Sequence, residues 1–261
     1  MFFMLSISLA YLAIGNAQPT FDVGKFGAVG DGKTNDSPVP KNERPTALHF
    51  HLCNNLILSG LTHLNSQKNH ITIHSCSGVS ISNLHIIAPS DSPNTDGIDI
   101  SLSTQLLISN TFIGTGEDGS NQIVEQVYVT GCTFNGSDNG ARIKTTPGGT
   151  GFARGVSFEG ITLIASGNPI VIDQHYCNGR DHHCQDQEKA VAISGVTFSG
   201  FQGTSAVVEA INLDCSKQGC RGITINNVNI SSSVGQDLRA VCNNAHGTTA
   251  STVPVVSCLL S

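Results

Sequence analysis

Few side chains in this 261-residue chain could do acid/base chemistry, since only 12% of its residues are charged. Two of them, Glu117 and Asp118, are adjacent in the glycine-bracketed stretch "GTGEDGSNQ". Asp96, in "NTDG", lies 22 residues before Asp118, and Lys144, in "ARIKT", lies a further 26 beyond it. Clustered carboxylates can divide acid and base roles, because like-charge repulsion keeps one of them protonated. A single acidic turn of this kind is ordinary, since Asp satisfies turn amides. A second one at repeat spacing, with a cation one repeat later, points to a site. Asp99 follows in "GIDIS", where alternation turns Ile98 and Ile100 inward and Asp99 outward.

The elements that must carry these residues form a repeat. An apolar pattern of two alternating pairs, joined by two polar or Gly residues, starts at Leu56, Val79, Leu106, Val127, Val156, Val191 and Ile223, at intervals of 23, 27, 21, 29, 35 and 32 residues. Each copy reads as two short strands and a corner, and between copies lie further alternating stretches such as "TDGIDIS", "NGARIKT" and "NPIVIDQ". Three short strands per repeat make an all-β parallel β-helix, a single domain over residues 18–261. An immunoglobulin-like sandwich would need hairpin signals that this cycle does not contain. In such a coil, residues one repeat apart stack about 4.8 Å from one another. Asp96, Asp118 and Lys144 therefore fall into a row on one outer face, suited to acid/base attack on an anionic polymer lying along it.

Composition narrows the partners. The formal charge of -6 and the lack of clustered Lys and Arg argue against nucleic acid. The apolar run from Phe2 to Ile14 ends in small residues at Gly15 and Ala17, the pattern of a cleaved secretory leader over residues 1–17, and is too short to span a bilayer. Nine cysteines fit the oxidising compartment that a leader implies. Cys177–Cys184, Cys215–Cys220 and Cys242–Cys258 would each close a short loop, while Cys53, Cys76 and Cys132 sit in strand-like runs as thiols. Asn35, Asn135 and Asn229 head glycosylation sequons expected on exposed turns.

Other motifs carry less. "GAVGDGKT", Gly27 to Thr34, matches a phosphate-loop pattern, but Asn35, Asp36, Ser37 and Pro38 follow where a helix should open. "HYCNGRDHHC", from His175, lacks zinc-finger spacing and reads as a disulfide-closed loop. His51, His63, His70, His74 and His85 read as coil-surface or turn residues, so no metal and no cofactor is expected.

In order, "SPNTDGIDI", "IGTGED", "RIKT" and "GNPIVIDQHYC" resemble the signature of plant polygalacturonases and other family 28 glycoside hydrolases, and "FDVGKFGAVGDGKTND" resembles the start of the mature plant enzymes. The resemblance, from about Arg44 to Cys258, implies a right-handed parallel β-helix that hydrolyses α-1,4 bonds in polygalacturonate (pectin) with inversion, as a secreted monomer in the cell wall. It implies Asp96 and Asp118 as the water-activating pair, Glu117 as general acid, Arg142 and Lys144 as binders of the substrate carboxylate, and Tyr176 as an aromatic lining a subsite.

Three departures accompany it. Glu117 stands where the family has Asp. Asp118 runs into "GSNQIVEQVYV" with no following Cys and no Gly-His-Gly. Asp36 reaches Arg44 through "SPVPKNE" alone, where the family has a long segment. Both gaps read as deletions. They imply impaired turnover, and a non-catalytic pectin-binding or wall-associated protein is the alternative from another class. A calcium-dependent pectate lyase shares the fold and is a weaker one.

Overall fold

The computed structural model describes residues 46–66, 68–88, 96–114, 123–176 and 189–261. The leader, the Gly27–Thr34 motif, Asn35, Glu117, Asp118 and the Cys177–Cys184 pair lie outside them. Contact clustering divides the chain into residues 1–43 and 44–261, and the second unit carries all the strands that follow.

The chain winds as a parallel β-solenoid of about seven turns. The first turn holds β1 (Leu48–His51), β2 (Ile57–Ser59) and β3 (Thr62–Leu64), and the second β4 (Ile71–His74), β5 (Ser77–Ser82) and β6 (His85–Ile87). Then come β7 (Ile98–Ser101), β8 (Ser103–Ser109) and β9 (Phe112–Gly114), followed by β10 (Ile123–Thr130) and β11 (Thr133–Asn135). The turn of β12 (Ala141–Lys144), β13 (Phe152–Glu159) and β14 (Thr162–Ser166) precedes that of β15 (Ile170–Asp173), β16 (Ala192–Ser199) and β17 (Gln202–Ser205). β18 (Glu209–Asp214), β19 (Cys220–Ser232), β20 (Arg239–Asn243) and β21 (Ala245–Val253) close the array.

Every strand pairs in parallel with its counterpart one turn away, so inward residues form columns. Val79, Leu106, Val127, Val156, Val196 and Ile223 make one; Ile81, Ile108, Val129, Phe158, Phe198 and Ile225 make the next. Both columns are buried, and the Phe158 and Phe198 rings stack 5.5 Å apart. The corner between them and the next face is a column of left-handed residues: Gly60, Asn83, Asn110, Gly131, Gly160, Gly200 and Asn227, with φ between 49° and 70°. Gly and Asn tolerate that conformation, which explains the polar or Gly pair in every repeat.

One copy of the repeat is out of frame. Val156 and Ile223 both pair with Val196, not Val191. "VAISGVTF" and the overlapping "VTFSGFQG" fit the same apolar pattern, since Gly195 and Gly200 both have positive φ. Register chooses the second, because only that frame puts Gly200 over Gly160.

Disulfides join Cys215 to Cys220 and Cys242 to Cys258, while Cys53, Cys76 and Cys132 are thiols. Asn135 and Asn229 are exposed, but at a strand end and within β19 rather than on turns. His63 and His70 depart from the surface placement expected of them. His70 is fully buried, and its Nδ1 lies 2.8 Å from Nδ1 of half-buried His63, one of the two donating to the other. Burial, and then the neighbouring His63, push the His70 pKa down to about 4.

Two outcomes follow. His70 is neutral in the fold well below the usual imidazole value near 6.5, so the unfolded chain binds more protons between pH 6.5 and about 4. Stability should fall as pH drops through that window, by up to about 1.4 kcal/mol per unit, and level off below it. Urea unfolding at stepped pH should show that slope, reduced in His70→Gln. Gly203, with φ of 127°, would place a Cβ 1.9 Å from the Leu163 carbonyl oxygen, so Gly203→Ala should cost about 2 to 4 kcal/mol in the same measurement.

Candidate active site

The alternation of β12 turns Ala141 and Ile143 toward the interior and Arg142 and Lys144 toward the outer face. On the next turn the register sets Asp173 beside Lys144 and Val171 beside Arg142; one turn further, Asp214 lies beside Asp173. The row Lys144, Asp173, Asp214, Asn243 therefore runs across four strands of one sheet.

Its members hold one another in place. Arg142 Nη2 donates to Asp173 Oδ2 at 2.9 Å, and the pair is largely shielded, with side-chain exposures of 15% and 24%. The His175 amide donates to Asp173 Oδ1 at 3.1 Å, while His175 Nδ1 meets Asp214 Oδ2 at 2.7 Å. Asn243 Nδ2 donates to the other Asp214 oxygen at 3.0 Å. Behind this layer, buried Gln174 donates to the Val191 carbonyl and accepts from the Ser216 amide, fixing the turn that carries His175 and Tyr176. The Tyr176 ring lies under both cations: Lys144 Nζ is 4.1 Å from its centroid and Arg142 Cζ 5.2 Å. Such contacts are worth about 0.5 to 2 kcal/mol each and orient long side chains that would otherwise sweep freely.

Asp96 and Asp99 stand on the turn that leads into β7 and on β7 itself. Asp99 accepts a hydrogen bond from Asn69 Nδ2, and the Asp96 carbonyl accepts from the His70 amide. A cleft of about 320 Å³ opens between β7 and β12, lined by half-buried Asp96, Arg142 and Lys144 at its rim and by core residues such as Val127 and Phe158. Among the described residues the first face falls into two sheets on either side of it. β1-β4-β7 and β12-β15-β18-β20 are separate sheets, whereas the second and third faces run without interruption from β2 to β19 and from β3 to β19. Among the described residues no strand stands between β7 and β12. Ile98, Ile100 and Ile143, which line the cleft, are only half-buried, unlike Ile71, Ile73, Ile170 and Ile172.

Of the six site residues expected from the sequence, Asp96, Arg142, Lys144 and Tyr176 are described; the first three share the rim of the cleft and Tyr176 packs under the two cations. Glu117 and Asp118 fall in residues 115–122, outside the description. Among the described residues, no group of three His, Cys, Asp or Glu is disposed to hold a metal ion. Sequence reasoning missed Asp173, Asp214 and His175 as parts of this face. Aligning "ARIKT", "IVIDQ" and "INLDC" would have found the first two, since Lys144, Asp173 and Asp214 occupy the same place in each.

The model of glycosyl hydrolases family 28 matches residues 24–120 and 118–253. The chain belongs to that family. Among family 28 relatives, a probable polygalacturonase of Arabidopsis thaliana is 40% identical over 88% of this chain and 59% of its own length. Polygalacturonases of Persea americana and Malus domestica are 36% and 34% identical, over 79% and 90% of this chain and 52% and 59% of theirs. The chain thus spans little more than half the length of these relatives. The crystal structure of an endo-xylogalacturonan hydrolase from Aspergillus tubingensis superposes with a TM-score of 0.61 at 26% identity, over 80% of this chain and 68% of that one. A polygalacturonase from Erwinia carotovora shares the fold, with a TM-score of 0.58 at 21% identity, over 77% of this chain and 59% of that one.

Removing the Asp173 carboxylate would take an ion-pair partner from a guanidinium that is mostly shielded from water. Asp173→Ala should therefore cost about 1 to 3 kcal/mol in urea unfolding, and Asp173→Asn less, because an amide still accepts one hydrogen bond.

Proposed function

We propose that this chain acts on polygalacturonate, hydrolysing α-1,4-galacturonosidic bonds with inversion. The observation that carries the reading is the pair Arg142 and Lys144, held over Tyr176 at the rim of a cleft that also exposes Asp96. A uronate chain offers one carboxylate per sugar, and a guanidinium and an ammonium on one strand face are suited to hold it. Family membership and the polygalacturonase relatives support the same substrate.

In this mechanism Asp96 and Asp118 draw the proton from a water, which attacks the anomeric carbon opposite the leaving oxygen. Glu117 gives its proton to that oxygen as the glycosidic bond breaks. An inverting site needs acid and base carboxyls roughly 6.5 to 9.5 Å apart, which leaves room for the water. The leader, the disulfides and the family support action outside the cell, in the wall, by a monomer, with no cofactor.

A second reading is favoured by the sequence after Asp118, which runs into "GSNQIVEQVYV" without the family's Cys and Gly-His-Gly. The chain would then bind pectin through Arg142 and Lys144 without turning it over. Release of reducing ends from polygalacturonate separates the two. Turnover that Asp118→Asn abolishes supports the hydrolase; saturable binding with no release, lost in Lys144→Ala, supports the binder.

Two outcomes are expected of the hydrolase. Lys144→Ala should weaken polygalacturonate binding roughly tenfold to a hundredfold, the worth of one charged hydrogen bond. Glu117→Asp should raise kcat, because one extra methylene misplaces the acid by about 1 Å, which can cost roughly 10²-fold.

A further inference from the structure

The first two turns have an unusual charge inventory. From Thr46 to Ala88 the sequence holds six of the chain's ten histidines, a single lysine, Lys68, and no Asp or Glu. Three of those histidines form one outward patch. His49 and His51 alternate with Leu48 and Phe50 on β1 and are exposed; His74, on β4, pairs in register with His51. Their ring centroids lie 5.1 Å (His51 to His74), 6.1 Å (His49 to His51) and 6.4 Å (His49 to His74) apart.

The patch belongs to the same outer face as the site. His51, His74 and Ser101 form one row across β1, β4 and β7, and His49, Thr72 and Asp99 the row beside it. In the uninterrupted second face, β2 and β13 are four steps apart, so β1 lies about 19 Å from β12 along the groove. We infer that His49, His51 and His74 form a proton-gated extension of the polyanion groove, which holds uronate carboxylates once the imidazoles are charged. The inference rests on the polygalacturonate reading above.

Among the described residues, no carboxylate lies within the patch itself. His74 Nδ1 shares a hydrogen bond with Ser101 Oγ at 2.8 Å. Asp99, on the neighbouring strand, is in register with Thr72 and bonds Asn69, while Asp96 lies on the turn before it. His63 and His70 face each other behind β4, and the Cys53 and Cys76 thiols donate to the carbonyls of His51 and His74. Burial, and then His51 and His49, hold the His74 pKa below its usual value, so charging that ring is costly until carboxylates arrive. Linkage then requires that a polyanion bound here takes up protons, and that acid tightens its binding.

The test is calorimetric titration of the full chain with polygalacturonate oligomers at about pH 5 and about pH 7.5, in buffers of different ionisation heat. Affinity should rise at least about threefold at the lower pH, with net proton uptake, and methyl-esterified oligomers should show neither effect. The triple variant His49→Gln, His51→Gln, His74→Gln should lose the gain and the uptake; exposed His51→Gln alone should lose part of both if the triple variant does not fold. A gain that persists in these variants, or one shared by the esterified oligomers, overturns the inference. Failure of the polygalacturonate reading itself would show differently, as binding near pH 7.5 that is absent or indifferent to Lys144→Ala.

Discussion

Each turn of this solenoid satisfies its backbone hydrogen bonds on the turns before and after it, in parallel register, and that ladder is the constraint from which every other position follows. A side chain's nearest neighbours are those one turn away, not those adjacent in sequence. Phe158 meets Phe198, Lys144 meets Asp173, and His51 meets His74 for that one reason. Burial of the inward columns then supplies the apolar driving force, at roughly 25 cal/mol per Å² removed from water. The outward columns are free to vary, and the chemistry is written there.

Electrostatics on the outer face follow the same geometry. Stacking like charges about 4.8 Å apart is costly, and where the row beginning at Lys144 sets Asp173 beside Asp214, each carboxylate has partners of its own. Asp173 serves Arg142; Asp214, next in the row, is matched by His175 and Asn243. Tyr176 adds an aromatic floor under two cations, so they are oriented before any substrate arrives. Family 28 membership and the arrangement of this rim thus point the same way.

Much of this was legible in the sequence because the solenoid repeats its instructions. The corner positions announce themselves as Gly or Asn, for instance Asn83, Asn110 and Gly160, since few other residues accept positive φ. The outward orientation of Asp99 came from alternation with Ile98 and Ile100, that of Lys144 from the repeat spacing. What escaped was information that exists only between turns. Val191 and Val196 both satisfy the apolar pattern, and only pairing with Val156 distinguishes them. His70 carries no local sign of burial, because its partner, His63, lies on another face of the turn before. Asp173 and Asp214, by contrast, needed only the strands "ARIKT", "IVIDQ" and "INLDC" to be aligned, and register sets them in one row with Lys144.

The number of faces that pair at each step bears on how the array holds together as a thermodynamic unit. Solenoids owe their all-or-none unfolding to coupling between nearest-neighbour turns, and that coupling is a sum over the faces that pair. At most steps three faces contribute. Between the turn of β7 and the turn of β12, the described residues connect only through β8-β10-β13 and β9-β11-β14. Where all three faces pair, as between the turn of β12 and that of β15, neighbouring turns should melt as one unit.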